Sequence, residues 1–110
     1  MAHDFAQQKA ETFSAFADLD AKEALPDSAD LDLFFVSDTD GRDWRPLAAA
    51  LADLGFECDW IDAEDQNPGY LVATLTDQPI SASSIWMIEE LASRAALDKG
   101  FRPDGWGFSD

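Results

Sequence analysis

The chain has a single cysteine, Cys58, and a single histidine, His3, among its 110 residues. One cysteine excludes an internal disulfide, which suits a reducing cytoplasm and leaves the core to hold without covalent help. His3 lies at the very start, so no histidine stands ready in the body of the chain to activate a nucleophile. Basic residues are scarce too: 7 Lys+Arg stand against 23 Asp+Glu, a formal net charge of −16. That deficit argues against direct nucleic-acid binding, which is driven by cations displacing counterions, and equally against an anionic lipid surface. No apolar run approaches the roughly 20 residues that cross a bilayer, so neither a membrane span nor export is expected. A Gly-rich phosphate loop is missing as well.

Apolar and aromatic residues are plentiful. Hydrophobic residues make up 46% and aromatics 12%, with four Trp and eight Phe, a content that disordered acidic chains lack. At this length a single domain with a self-sufficient core is expected. The acidity favours a basic protein partner by steering encounter with it, and serves equally as a solubility device.

Residues 1–25 read as an amphipathic helix, with Phe5, Phe16 and Leu19 on one side, Phe13 at the border, and Gln7, Glu11, Ser14 and Asp18 facing away. Pro26 ends it, and residues 31–110 form the domain proper. The apolar run Leu31 to Ser37 predicts a strand. A helix follows from Trp44, with Asp43 as its cap, Pro46 in its first turn, and Leu47, Ala50, Leu51 and Leu54 inward; Gly55 stops it. Phe56 to Ile61 alternates as a half-buried strand, with Phe56, Cys58 and Trp60 inside, and Tyr70 to Thr76 is a third strand. Ser81 caps a long helix carried by Ile85, Ile88, Leu91, Ala92 and Ala95, Gly100 ends it, and a last strand begins at Phe101. The expected class is α+β: a ferredoxin-like βαββαβ sandwich with an extra N-terminal helix. The first and third strands are apolar on both faces, with Phe34, Val36, Tyr70 and Val72 on the second one. That face calls for a cover, either the phenylalanines of the first helix or a second copy of the chain in a homodimer.

Catalytic and metal-binding constellations find little support. Cys58 reads as a small core residue, and Ser81, Ser83 and Ser84 as helix-start residues. The stretch Asp38 to Asp43 imitates the opening of a calcium loop, but Gly41 falls at the fourth position and Ala49 stands at the twelfth. The pair Glu89–Glu90 and the cluster Asp62, Glu64 and Asp65 read as solvated surface. No catalytic residue, cofactor or metal site is assigned. On a helical wheel Trp86 falls with Glu90, Ser93 and Leu97, opposite the Ile88/Leu91/Ala95 stripe, which makes it either an interface anchor or a ring half-covered by the first helix.

The end of the chain, Arg102-Pro103-Asp104-Gly105-Trp106-Gly107-Phe108, sets a tryptophan between two glycines. Strand alternation would place Arg102, Asp104, Trp106 and Phe108 on one face, leaving the other bare for a partner to approach. Trp106 is a structural clasp or a contact surface, and its place in the fourth strand favours the clasp, with Asp104 and Gly105 forming a turn or bulge that aims the ring inward.

The stretch Gly100 to Phe108, after a helix containing Ile88-Glu89-Glu90-Leu91-Ala92-Ser93-Arg94-Ala95 and the earlier Leu47 to Trp60, resembles the regulator of ribonuclease activity B family. Its members carry a similar Leu-Gly-Phe/Tyr segment and a near-terminal Tyr-Asp-Gly-Trp-Gly. The likeness covers about Leu31 to Phe108, and its most specific element is Asp104-Gly105-Trp106-Gly107. It implies a cytoplasmic bacterial protein of ferredoxin-like fold that binds ribonuclease E and restrains RNA turnover without catalysis. Two readings follow: an acidic, non-enzymatic regulator docking on a basic partner, or a small-molecule-binding or enzymatic domain that uses the sheet face as a pocket.

Overall fold

The computed structural model describes residues 3–37, 39, 42–64 and 69–109. Helix α1 spans Phe5–Lys22 and starts where the Asp4 carboxylate accepts the amide of Gln7. Strand β1 (Ser28–Ser37) leads to α2 (Arg45–Asp53), β2 (Glu57–Ile61), β3 (Tyr70–Pro79), α3 (Ala82–Asp98) and β4 (Phe101–Ser109). Ser81 caps α3 as expected, accepting from the Ser84 amide. Gly55 and Gly100 follow α2 and α3 with φ of 102° and 84°, the left-handed backbone that lets a helix end in a tight turn. Asp43 does not occupy the cap of α2. Trp44 does, and the Asp43 carboxylate instead accepts from the Arg45 amide and guanidinium.

Among the described residues the fold is mixed α+β, with three helices and a four-stranded antiparallel sheet in the order β2-β3-β1-β4. Leu31, Leu33 and Phe35 of β1 and Leu71 and Ala73 of β3 point to one face. There they meet Leu47 and Leu51 of α2 and Ile85, Ala92 and Ala96 of α3, all nearly sealed from water. Helix α2 lies over β2 and β3, α3 lies towards β4, and α1 approaches α3 but none of the strands.

The expected sides of α1 are kept: Phe5, Phe16 and Leu19 are half-buried, Phe13 at the border is 37% exposed, and Gln7, Glu11, Ser14 and Asp18 are exposed, although the most buried residues are the polar Gln8 and Thr12. The placement of α1 corrects the expectation that its phenylalanines cover the sheet. Because α1 sits on α3, it does not cover the second sheet face. Among the described residues no element lies over that face, where Phe34 and Tyr70 meet edge to face at 6.1 Å and Thr74 donates to Asp32 at 2.6 Å. The stripe on α3 also shifts: Leu91 is 52% exposed, and the inward positions are Ile85, Glu89, Ala92 and Ala96, flanked by Trp86 and Ser93. The first and third strands run longer than their apolar cores predict. β1 begins at Ser28 and β3 continues to Pro79, because Ser28 pairs with Pro79 and Ala29 with Gln78 beyond an irregularity at which Asp77 takes a φ of 55°.

Candidate functional site at the α1–β4 cleft

Strand β4 is a sheet edge, and its backbone is irregular where the motif lies. Leu33 pairs with Trp106 and Phe35 with Pro103, so Asp104 and Gly105 together stand opposite the single residue Phe34. This is a β-bulge, and Gly105 takes a φ of 121° within it, a conformation that residues with a Cβ resist. The extra residue resets the alternation. Pro103, Trp106 and Phe108 pair with Phe35, Leu33 and Leu31 of the core-facing row, whereas Arg102 pairs with Val36 and turns to the other face. The expectation that Arg102, Asp104, Trp106 and Phe108 share a face is thereby corrected, and the inward aim of Trp106 follows from the bulge.

Trp106 and Phe108 are half-buried, lie 5.4 Å apart between ring centres, and pack against the core. Their remaining surface lines an open cleft of about 800 Å³ between β4 and α1. Pro103, Gly105 and Gly107 continue this wall; Ala15 and Leu19 of α1 face it across the cleft. The carboxylates of Asp4, Glu11 and Asp104 rim it, all three exposed, and Glu89 of α3 also reaches it. A side chain added at Gly105 or Gly107 would meet nothing within 4 Å. Gly105 is explained by its backbone; nothing among the described residues demands glycine at Gly107.

Glu89 is the residue the sequence reading missed. It is only 4% exposed. One of its oxygens accepts from the Gln8 amide at 2.9 Å, the other from the Thr12 hydroxyl, and Gln8 also donates to Ser93 at 3.1 Å. His3 in turn bonds the Gln8 carbonyl. Burial pushes the Glu89 carboxyl above its ordinary range and nearby Glu11 adds to this, while the two donors and His3 pull it back. The available signals were the spacing of Glu89 on α3, four residues after Ile85 and three before Ala92, and the matching pair Gln8 and Thr12 one turn apart on α1.

Trp86 is 8% exposed, which leaves little of the ring for a partner. It lies three residues before Glu89 and seven before Ser93, on the side of α3 that carries α1, so the first helix is its neighbour rather than open solvent. Trp86 is therefore not brought together with Asp104, Gly105, Trp106 and Gly107 in the cleft wall.

Cys58 is half-buried against the core, its thiol pushed up to about 11 by burial and by Asp59, so it stays protonated near neutral pH. Asp62 and Glu64 are exposed, while Asp65 and, in the calcium-like stretch, Asp38, Asp40 and Gly41 lie outside the described residues. Among the described residues, no group of three or more His, Cys, Asp or Glu could hold a metal ion, and no helix is long and apolar enough to cross a membrane. A smaller cleft, lined by Arg42, Asp43 and Arg45, is built around Trp44 stacked on Trp60 at 5.8 Å. Comparison with known proteins gives no match to any family model and none to a curated protein.

Proposed function

We propose that this chain is a non-catalytic regulatory protein of ferredoxin-like fold that docks on a basic protein partner, with a ribonuclease E-type enzyme as the target and slower RNA turnover as the effect. The element order after α1, β-α-β-β-α-β, and the strand order β2-β3-β1-β4 support the ferredoxin-like part of the reading. The observation that carries the docking part is the cleft itself. Its aromatic wall, Trp106 and Phe108, is built by the segment that resembles the family motif, and its rim is acidic on a chain of net charge −16. Aromatic anchors inside a charged rim are the usual anatomy of a protein interface, and a field of this sign speeds encounter with a cationic surface. The target's RNA-handling regions are expected to be basic, which suits such a surface.

The test is to titrate the purified chain into a ribonuclease E-type enzyme cleaving a labelled RNA, at low and at high salt. Dose-dependent slowing of cleavage that fades with salt is expected. Unchanged cleavage together with no binding to the enzyme at low salt overturns the proposal.

A further inference from the structure

The helix layer runs α2, α3, α1, whereas the sheet stops at β4 beneath α3. Among the described residues the backbone of α1 approaches α3 and no strand, its Phe16 side chain reaching the core, and the cleft lies between it and the β4 edge. The space is therefore bounded as a fifth strand would be bounded: by an unpaired sheet edge along one side and by a helix on α3's flank. From the bulge to Phe108 no proline interrupts that edge, since Pro103 precedes it. Gly105 and Gly107 bring no side chain to this stretch, and among the described residues nothing lies within 4 Å of where their Cβ atoms would be, so no side chain of their own crowds a neighbouring strand. An exposed edge of this kind is a template for strand addition, in which main-chain hydrogen bonds give affinity and alternate side chains give specificity.

We infer that the cleft receives an extended basic segment of another protein, which adds to β4 as a fifth antiparallel or parallel strand under α1. The inference rests on the docking function proposed above and assigns its site and mode. In a strand, alternate side chains point the same way, so a segment alternating cationic and apolar residues would set its apolar side chains on Trp106, Phe108, Ala15 and Leu19. Its cationic side chains would point to the opposite sheet face, on the side of Asp32, which pairs with Gly107, while the rim carboxylates Asp4, Glu11 and Asp104 add to the field that draws the segment in. A second copy of the chain is the wrong occupant on charge, because each copy carries −16.

The probe is an alternating lysine–valine peptide whose binding to the full chain is followed by calorimetry, beside the same peptide with alternate backbone amides methylated. Glu11→Arg combined with Asp104→Arg reverses charge at the cleft; Glu57→Arg combined with Asp59→Arg does so on the far edge strand β2, and all four residues are exposed. Methylation, and reversal at the cleft, are each expected to weaken binding about tenfold or more, and reversal on β2 less than about threefold. Melting curves confirm that both variants stay folded. Equal affinity for the methylated peptide, equal loss in the two variants, no binding of the unmodified peptide, or a sedimentation result showing that the chain fills the cleft by dimerising would each overturn the inference. Polylysine separates this from the broader reading. If polylysine binds while the peptide arms do not differ, docking on basic partners stands and strand addition falls; if polylysine does not bind either, both fall.

Discussion

The two glycines around Trp106 look alike in sequence and do unlike things. Gly105 takes a φ of 121° inside the bulge, whereas Gly107 lies outside the left-handed region and has free space at its Cβ. Gly105→Ala is therefore expected to cost about 1–2 kcal/mol through its backbone. Gly107→Ala is expected to leave stability unchanged or raise it by up to about 1 kcal/mol, because alanine gives up less chain entropy on folding. Chemical denaturation of the two variants checks this, and equal losses would mean that the bulge is not what requires Gly105. Trp106 packs against the core with one side showing. Half-buried against the core, its ring should contribute less than a fully enclosed one, so Trp106→Ala should cost about 2–3 kcal/mol and lower the melting temperature by roughly 10 °C. Glu89 gives a pH signature. Its carboxyl is raised in the folded chain, so the fold binds that proton more tightly than the unfolded chain does. The contribution is present while Glu89 is protonated and is lost as pH rises from about the ordinary value of 4.5 through the raised one. Across that window the wild type should lose melting temperature relative to Glu89→Gln, and parallel curves would show that Glu89 does not titrate in this way.

At the scale of elements, the polar contact between α1 and α3 explains why the first helix sits where it does. Gln8 and Thr12 point at Glu89 and Ser93, and each donor satisfies an acceptor that burial would otherwise leave without a partner. Thr12→Val removes one donor at nearly constant volume. It is expected to cost about 1–3 kcal/mol, measured by thermal or urea unfolding, and a neutral outcome would mean that water reaches Glu89. This seam is also where reading the sequence stopped short. Strand β2 alternates cleanly, and Ser81, Gly55 and Gly100 carry strong local signals, so these elements and their limits were legible. The inward side of α1 was legible from Phe5, Phe16 and Leu19, but its seat on α3 was not, because hydrophobic periodicity passes over Gln8 and Thr12, which a buried hydrogen-bonded network turns inward on that same side. In the same way the motif at Asp104 to Gly107 announced a bulge, yet strict alternation misplaced Arg102, since one inserted residue reverses every position beyond it. Glu89 was hidden by its neighbour: Glu90, one position along, is on the solvent side and pairs with Arg94 at 2.8 Å.

For the whole molecule, charge and architecture divide the surface into regions of different character. The sheet face away from the helices carries Asp32 and Glu57 in one cross-strand row with Thr74, and Phe34 and Asp59 in the next with Val72. The α1–β4 cleft joins acids to an aromatic wall and an unpaired strand edge. A net charge of −16 leads to the expectation that the chain shifts no RNA in a gel at physiological salt, and submicromolar retention of RNA would contradict the electrostatic argument. The central claim is that a basic partner enters through the cleft. Amide chemical-shift mapping of the full chain with the unmodified lysine–valine peptide tests it most directly. The account predicts that the largest changes fall on Gln7 to Thr12 of α1 and Asp104 to Phe108 of β4; changes concentrated on β2 and the open face of β3, or spread evenly over the acidic surface, would contradict it.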